Sequence, residues 1–292
     1  MGNLEELIQL LSLERINDNT FVGQNYQAPW GRVFGGQVLG QSLHTVYQTV
    51  TDDRIAHCMH GYFLLGGDLG IPITYEVDYL RDGRSFTTRR VVAKQNGKAI
   101  FNMAASFQVR EDGVEHQITM PNLITPKKLM NSLEQIEELK KTDPDSYNLI
   151  KLTHPKVFEF KPVERLTALL SKDGPPFNHM WMRATEKVRG NLPLQQQLLA
   201  YVSDYNILTT ASLPHREALR KGKTFYASID HALWFHRSFK IDEWLLYTMD
   251  SPSASNSRGF SRGSIFDRNG VLVASVAQEG LMRSTSVVST LL

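Results

Sequence analysis

The chain has 292 residues, 41% of them hydrophobic and 21% charged, with 32 basic and 30 acidic side chains and a formal net charge of +2. That length suggests roughly two domain-sized units, and that composition describes a globular chain able to bury a full core. The balanced charge argues against a nucleic-acid binder, and the single cysteine, Cys58, excludes a disulfide framework and a Cys-rich zinc site.

Asn3 to Leu11 has the spacing of a short amphipathic helix, with Leu4, Ile8 and Leu11 as its stripe and Asn3 with Glu6 as its capping pair. Residues 13–26 read as one or two short strands. Gly35-Gly36 then precede a helical pattern of Val38, Leu39, Leu43 and Val46. Glycines at such a point either form a plain tight turn or let a ligand or another backbone approach the free N–H groups. Strands follow at 58–65, 71–80, 85–93 and 99–109, turned by Asp82-Gly83 and Asn96-Gly97, which are strong hairpin signals.

Residues 112–156 are polar and carry four prolines. They read as a surface linker with one charged helix, capped by Ser132 and Gln135, and no chemistry is assigned to them. Strand-like segments at 157–160 and 179–188 lead to Pro193 and the stretch LQQQLLAYVSDYNIL, Leu194–Leu208, which reads as one helix. Strands are expected at 224–237, 244–250, 259–267 and 271–283, the last pair turned by Asn269-Gly270. The Asn-Gly turns are 173 residues apart, His60 and His231 are 171 apart, and Arg84 and Arg258 are 174 apart. Near-equal offsets in the same order indicate an internal duplication, two copies of a helix-plus-antiparallel-sheet unit, hence an α+β fold.

Asp204 falls inside the 194–208 helix among Ala200, Tyr201, Ile207 and Leu208. Such an Asp is ordinarily a cap or solvated; buried, it needs partners. Two later strands carry uncharged polar residues that would serve, Ser228 and Gln278. Gln278 shares a strand face with Ala274, Val276 and Met282, and Ser228 with Tyr226 and Trp234. A carboxylate, a hydroxyl and an amide around one water could activate it toward a carbonyl; a purely structural polar cluster accounts for the same residues.

Rival sites fail on context. GFSRG, Gly259–Gly263, matches the nucleophile-elbow pattern, but it runs on into a strand, an Asn-Gly turn and another strand, and the last histidine, His236, lies upstream of Ser261. Ser228, Asp230 and His231 share one expected strand, where alternation sends His231 to the opposite face; it reads as a hydrogen-bonded structural histidine. The nine histidines show no HxxxH or HExxH spacing, so no metal is expected.

Six long, ordered segments make the chain resemble the acyl-CoA thioesterase II (TesB-type) family over essentially its whole length. They are VFGGQVLGQSL (33–43), YLRDGRSFTTRRV (79–91), QNGKAIFNMAASFQ (95–108), SIDHALWFHRSF (228–239), EWLLYTMDSPSASNSRGF (243–260) and DRNGVLVASVAQEGLMR (267–283). The resemblance implies a double hot-dog fold: an N-terminal repeat at 1–111, a linker at 112–156 and a C-terminal repeat at 157–292. It implies hydrolysis of acyl-CoA thioesters to fatty acid and coenzyme A by a water that Asp204, Ser228 and Gln278 activate, with no cofactor. The chain departs from the family at Leu65 and Gly66, where many members have Arg-Pro. Ala105 lies opposite Gln278 by the 173-residue offset, so one active site per chain is expected.

An acyl-CoA substrate carries phosphates and needs a basic rim. The candidates for substrate binding are Gly35, Gly36, His60, Arg84, Arg258 and Arg262, with Arg89 and Arg90 beside them. No nucleic acid and no membrane insertion are expected, since no apolar run approaches the ~18 residues of a membrane span. The start, MGNLEELIQLL, lacks the basic region and cleavage site of a secretion signal, so a cytoplasmic location is expected. A homo-oligomer, dimer or tetramer, is expected from the exposed sheets. A non-catalytic acyl-CoA binding protein on the same fold is the alternative of another class.

Overall fold

The computed structural model describes residues 2–171, 173–220 and 224–284. Residues 285–292, the end of the expected C-terminal repeat, lie outside the described residues. Asn3 accepts a hydrogen bond from the Glu6 N–H and starts helix α1 (Leu4–Leu11), which buries Leu4, Leu7 and Leu11. Strands β1 (Glu14–Arg15) and β2 (Thr20–Gly23) follow, then the first central helix, α2 (Gly35–Tyr47). The meander is β3 (Ile55–Phe63), β4 (Ile73–Asp82), β5 (Phe86–Gln95) and β6 (Lys98–Gln108). Asn96 and Gly97 both take positive φ, the backbone that a two-residue hairpin turn requires.

Residues 112–156 depart from the expected surface linker. They fold into two helices, α3 (Ser132–Thr142) and α4 (Pro144–Thr153), which pack against each other. The cap of α3 is Asn131 with Glu134, one residue before the expected pair, because the Asn131 carboxamide accepts from the Glu134 N–H while the Glu134 carboxylate accepts from the Asn131 N–H. Strand β7 (Phe158–Pro162), helix α5 (Leu166–Ser171) and strand β8 (Phe177–Ala184) lead to the second central helix, α6 (Leu192–Ser203). The short helices α7 (Ile207–Thr210) and α8 (Arg216–Arg220) follow, and then β9 (Thr224–Ser228), β10 (Asp230–Phe235), β11 (Leu245–Ser255), β12 (Arg258–Phe266) and β13 (Leu272–Ser284).

Among the described residues the strands form one sheet, in the order β1-β2-β4-β5-β6-β3-β10-β13-β12-β11-β8-β7, with β9 paired to β13. The order reads the same from either end once each N-terminal strand is matched with its C-terminal counterpart. The seam is the antiparallel pair β3 and β10, where Ala232 faces His60 and Leu233 faces Met59.

The sheet encloses α2 and α6, which lie against each other. They run antiparallel, since the start of α2 meets the end of α6 through Gly36 and Asp204, and the end of α2 meets the start of α6 through Tyr47 and Gln196. Leu39 and Leu43 from α2, Leu198 and Leu199 from α6, and Phe101, Phe107 and Tyr247 from the sheet are fully buried between these layers. A helix that is apolar all round belongs inside a core, and α6 is buried from Gln195 to Ser203. Its three buried glutamines have polar partners: Gln195 accepts from the Ile241 N–H at 2.8 Å, Gln196 donates to the Ala56 carbonyl at 2.9 Å, and Gln197 Oε1 lies 3.3 Å from His44 Nδ1.

Two expected elements are broken where the site forms. The helix expected over 194–208 stops at Ser203, with Asp204 as its C-cap, and Asn206 at φ 66 turns the chain before α7 begins. The strand expected over 224–237 is interrupted at Ile229, because the Asp230 carboxylate takes the Glu279 N–H at 2.7 Å while Ile229 donates to the Glu279 carbonyl at 2.9 Å. The chain thus gains one residue relative to β13, a β-bulge that re-aims the side chains after it.

Candidate active site

Asp204 is delivered by the end of α6. Its Oδ2 accepts a hydrogen bond at 2.9 Å from the N–H of Gly36, in the first turn of α2. That N–H has no partner within its own helix, and the helix dipole places partial positive charge there, so a carboxylate is a natural cap. Both glycines are required by contact. A Cβ at Gly36 would stand 2.2 Å from the Tyr201 carbonyl oxygen, and one at Gly35 would stand 2.7 Å from Asp204 Oδ2. The close approach of the two helices therefore positions the carboxylate, and residues 168 apart in the chain build the site.

Ser228 ends β9 and Gln278 lies on β13. Gln278 Nε2 donates to Ser228 Oγ at 2.8 Å. The other end of the amide is also fixed, since Gln278 Oε1 accepts from His231 Nδ1 at 2.5 Å. His231 is fully buried, and burial holds its pKa below the ordinary histidine value. The neutral ring, donating through Nδ1, leaves Nε2 as an acceptor for the Ser203 hydroxyl at 2.9 Å. A polar row runs from Ser228 through Gln278 and His231 to Ser203, the residue next to Asp204. The bulge at Ile229 turns His231 onto the Gln278 side of the sheet, which corrects the opposite-face expectation drawn from strict alternation.

Burial pushes the Asp204 carboxyl above the ordinary carboxylate range, while the Gly36 N–H and the Gln278 amide favour its ionised form. Asp204 and Ser228 both line a cavity of about 700 Å³. Its walls are largely apolar: Val38 from α2, Phe160 and Met180 from β7 and β8, and Ile136, Ile150 and Leu166 from α3, α4 and α5. The segment to which no chemistry was assigned thus supplies one side of the cavity.

The expected binding residues divide. Gly35 lines the cavity and Gly36 holds Asp204. His60 sits on β3 with its ring edge-on to Trp234 at 4.8 Å, outside the cavity lining. Arg84 lies exposed in the β4–β5 turn. Arg258 pairs with Glu279 at 2.8 Å, Arg262 with Asp250 at 2.5 Å, Arg89 with Asp82 at 2.7 Å and Arg90 with Asp78 at 2.5 Å. None of these arginines lines the cavity; the lining arginine is Arg32, which the sequence reading passed over. Ser261 lies buried in β12 opposite Gln278, with no strand-to-helix elbow around it.

Among its described residues the N-terminal repeat carries no second set. Its strand β3 is irregular at His57 between Ala56 and Cys58, as the chain is at Ile229 in the C-terminal repeat. Counted from these bulges, Ala56 stands where Ser228 stands and Met59 where His231 stands, and Met59 faces Ala105 as His231 meets Gln278.

The architecture is that of a double hot-dog fold. A protein with that fold from Alicyclobacillus acidocaldarius superimposes with a TM-score of 0.75 over 96% of this chain and 98% of its own, at 14% identity. The acyl-CoA thioesterase II TesB2 of Mycobacterium marinum superimposes with a TM-score of 0.79 at 36% identity, covering 96% of this chain and 99% of its own. The chain belongs to the acyl-CoA thioesterase family, enzymes that hydrolyse thioesters. Residues 155–281 match the acyl-CoA thioesterase model and residues 26–108 match the acyl-CoA thioesterase N-terminal domain. The acyl-CoA thioesterase 2 of Haemophilus influenzae is 38% identical across 96% of this chain and 98% of its own length. The human acyl-coenzyme A thioesterase 8 is 36% identical across 99% of this chain and 92% of its own. Among the described residues, no helix is long and apolar enough to cross a membrane.

Proposed function

We propose that Asp204, Ser228 and Gln278 activate a water for direct attack on the acyl-CoA thioester, with no covalent acyl-enzyme. The observation that carries this reading is the carboxylate at the cavity wall, raised in pKa by burial and held by the Gly36 N–H, beside an amide fixed at both ends. Asp204 accepts one proton of the water as its oxygen bonds to the carbonyl carbon. Ser228 and Gln278 hold that oxygen on line, which restricts the attack to a productive geometry. As the carbonyl re-forms, the carbon–sulfur bond breaks and the Asp204 proton passes to the departing thiolate. The products are a fatty acid and coenzyme A. The apolar walls take the acyl chain.

Under the same reading the chain is two hot-dog repeats, 1–111 and 157–292, bridged by 112–156. It is cytoplasmic and a homo-oligomer; the exposed Tyr62, Tyr79 and Leu80 on the sheet support pairing. Rapid-quench mass spectrometry during turnover of palmitoyl-CoA tests the chemistry. No protein mass increase of a palmitoyl group is expected, and Ser228→Ala is expected to retain a measurable, reduced rate. A covalent palmitoyl adduct on any residue would overturn the direct-water route.

A further inference from the structure

Arg32 stands at the mouth of the cavity that Asp204 lines. It is exposed, and among the described residues no carboxylate pairs with it. Its guanidinium lies over the Phe225 ring, 4.8 Å from the centroid. Its stem packs on the loop after β3, where a Cβ at Gly66 would meet Arg32 Cδ at 3.3 Å, and the next residue, Val33, donates to the Gly67 carbonyl at 3.0 Å. The segment is thus anchored while the charge is uncompensated. The other titratable base in the lining, His154, is held neutral by burial, so Arg32 is the cation that the described lining presents at neutral pH.

Geometry and chemistry then agree. A guanidinium stacked on an aromatic face keeps its in-plane N–H edges free, and those edges match phosphate oxygens in pairs. Arg32 precedes Gly35 by three residues, at most about 10 Å of chain, and Gly35 abuts the Asp204 carboxylate. A pantetheine arm, bent rather than fully extended, would join a thioester at Asp204 to a phosphate at Arg32 across that distance. Of the arginines expected to form the rim, Arg89, Arg90, Arg258 and Arg262 stand in ion pairs, and neither they nor Arg84 line the cavity. We infer that Arg32, stacked on Phe225, binds a phosphate of the coenzyme A portion of the substrate and sets the affinity for coenzyme A thioesters over thioesters without a nucleotide. The inference rests on the acyl-CoA reading above.

The test compares the full-length wild type with Arg32→Glu and Arg32→Lys on two substrates, palmitoyl-CoA and palmitoyl-pantetheine, which lacks the nucleotide and the phosphates. Arg32→Glu is expected to raise KM for palmitoyl-CoA by about tenfold or more, the scale of losing a charge-assisted pair, with kcat within about twofold and KM for palmitoyl-pantetheine unchanged. Arg32→Lys, which keeps a point charge without the fork, is expected to fall between. The effect on palmitoyl-CoA should shrink as salt rises. Equal KM values for wild type and Arg32→Glu on palmitoyl-CoA, or an equal rise on both substrates, would overturn the assignment. Titration with free coenzyme A separates this inference from the enzymatic one. If the wild type hydrolyses neither substrate yet binds coenzyme A more tightly than Arg32→Glu, the hydrolytic reading fails and the Arg32 site stands; equal affinities remove the Arg32 site whatever the turnover.

Discussion

The N–H of Gly36 in the first repeat donates to the carboxylate of Asp204 in the second, at 2.9 Å. The position of that carboxylate is therefore set by the contact between the central helices rather than by either repeat alone. Gly36→Ala places a methyl group 2.2 Å from the Tyr201 carbonyl and against the Phe34 ring, and α2 must shift to take it. Overpacking of this kind costs about 1–3 kcal/mol. Thermal unfolding is expected to move down by a few degrees, and kcat to fall more than this loss of stability explains, because the cap on Asp204 moves with the helix. An unchanged kcat would detach Gly36 from the site.

His231 holds the Gln278 amide and is outside the cavity lining, so its removal tests positioning apart from binding. His231→Leu leaves the Gln278 carbonyl unpaired in the interior, at about 1–3 kcal/mol, while the Ser203 hydroxyl keeps its hydrogen bond to the Ala200 carbonyl at 3.0 Å. Steady-state kinetics on the folded protein at low temperature are expected to show kcat down by about tenfold, the scale of one lost hydrogen bond in the transition state, with KM held. A rise in KM with kcat intact would place His231 in substrate binding instead.

Burial raises the Asp204 pKa, and this has consequences of opposite sign for rate and stability. Under the proposed mechanism Asp204 works ionised, so the acid limb of kcat/KM is expected above the ordinary aspartate value of about 3.9. For stability, the folded state keeps a proton that the unfolded chain releases. This contribution is full below the ordinary range and is lost as pH rises to the raised value. Asp204→Asn removes the titration while keeping an acceptor for the Gly36 N–H. Its unfolding temperature at neutral pH is expected to equal or exceed that of the wild type. A clear loss at neutral pH would mean that the ionised carboxylate is stabilising.

The local elements were largely legible because short-range chemistry sets them. The Asn96-Gly97 turn, the Asn3 cap and the stripe of α1 follow from residues within a few positions. What was hidden depends on distant partners. Asp204 looked like an interior helix residue because nothing in LLAYVSDYNIL announces that Asn206 will take a positive φ and end the helix. Period-two alternation sent His231 to the wrong face because the Ile229 bulge arises from Asp230 taking an N–H on β13. The arginines of the strands looked available for phosphate because their partners, Glu279, Asp250, Asp82 and Asp78, sit on neighbouring strands or across a hairpin. The polar character of 112–156 masked Ile136 and Ile150, which turn their apolar side to the cavity once α3 and α4 form.

The most direct measurement is thiol release from palmitoyl-CoA by Asp204→Asn beside the wild type, with circular dichroism and thermal unfolding recorded on the same samples. The account predicts that the wild type turns over and that Asp204→Asn, folded as the wild type is, loses about 10²–10⁴ in kcat, the share of a general base. A folded Asp204→Asn protein working within about threefold of the wild type would contradict it.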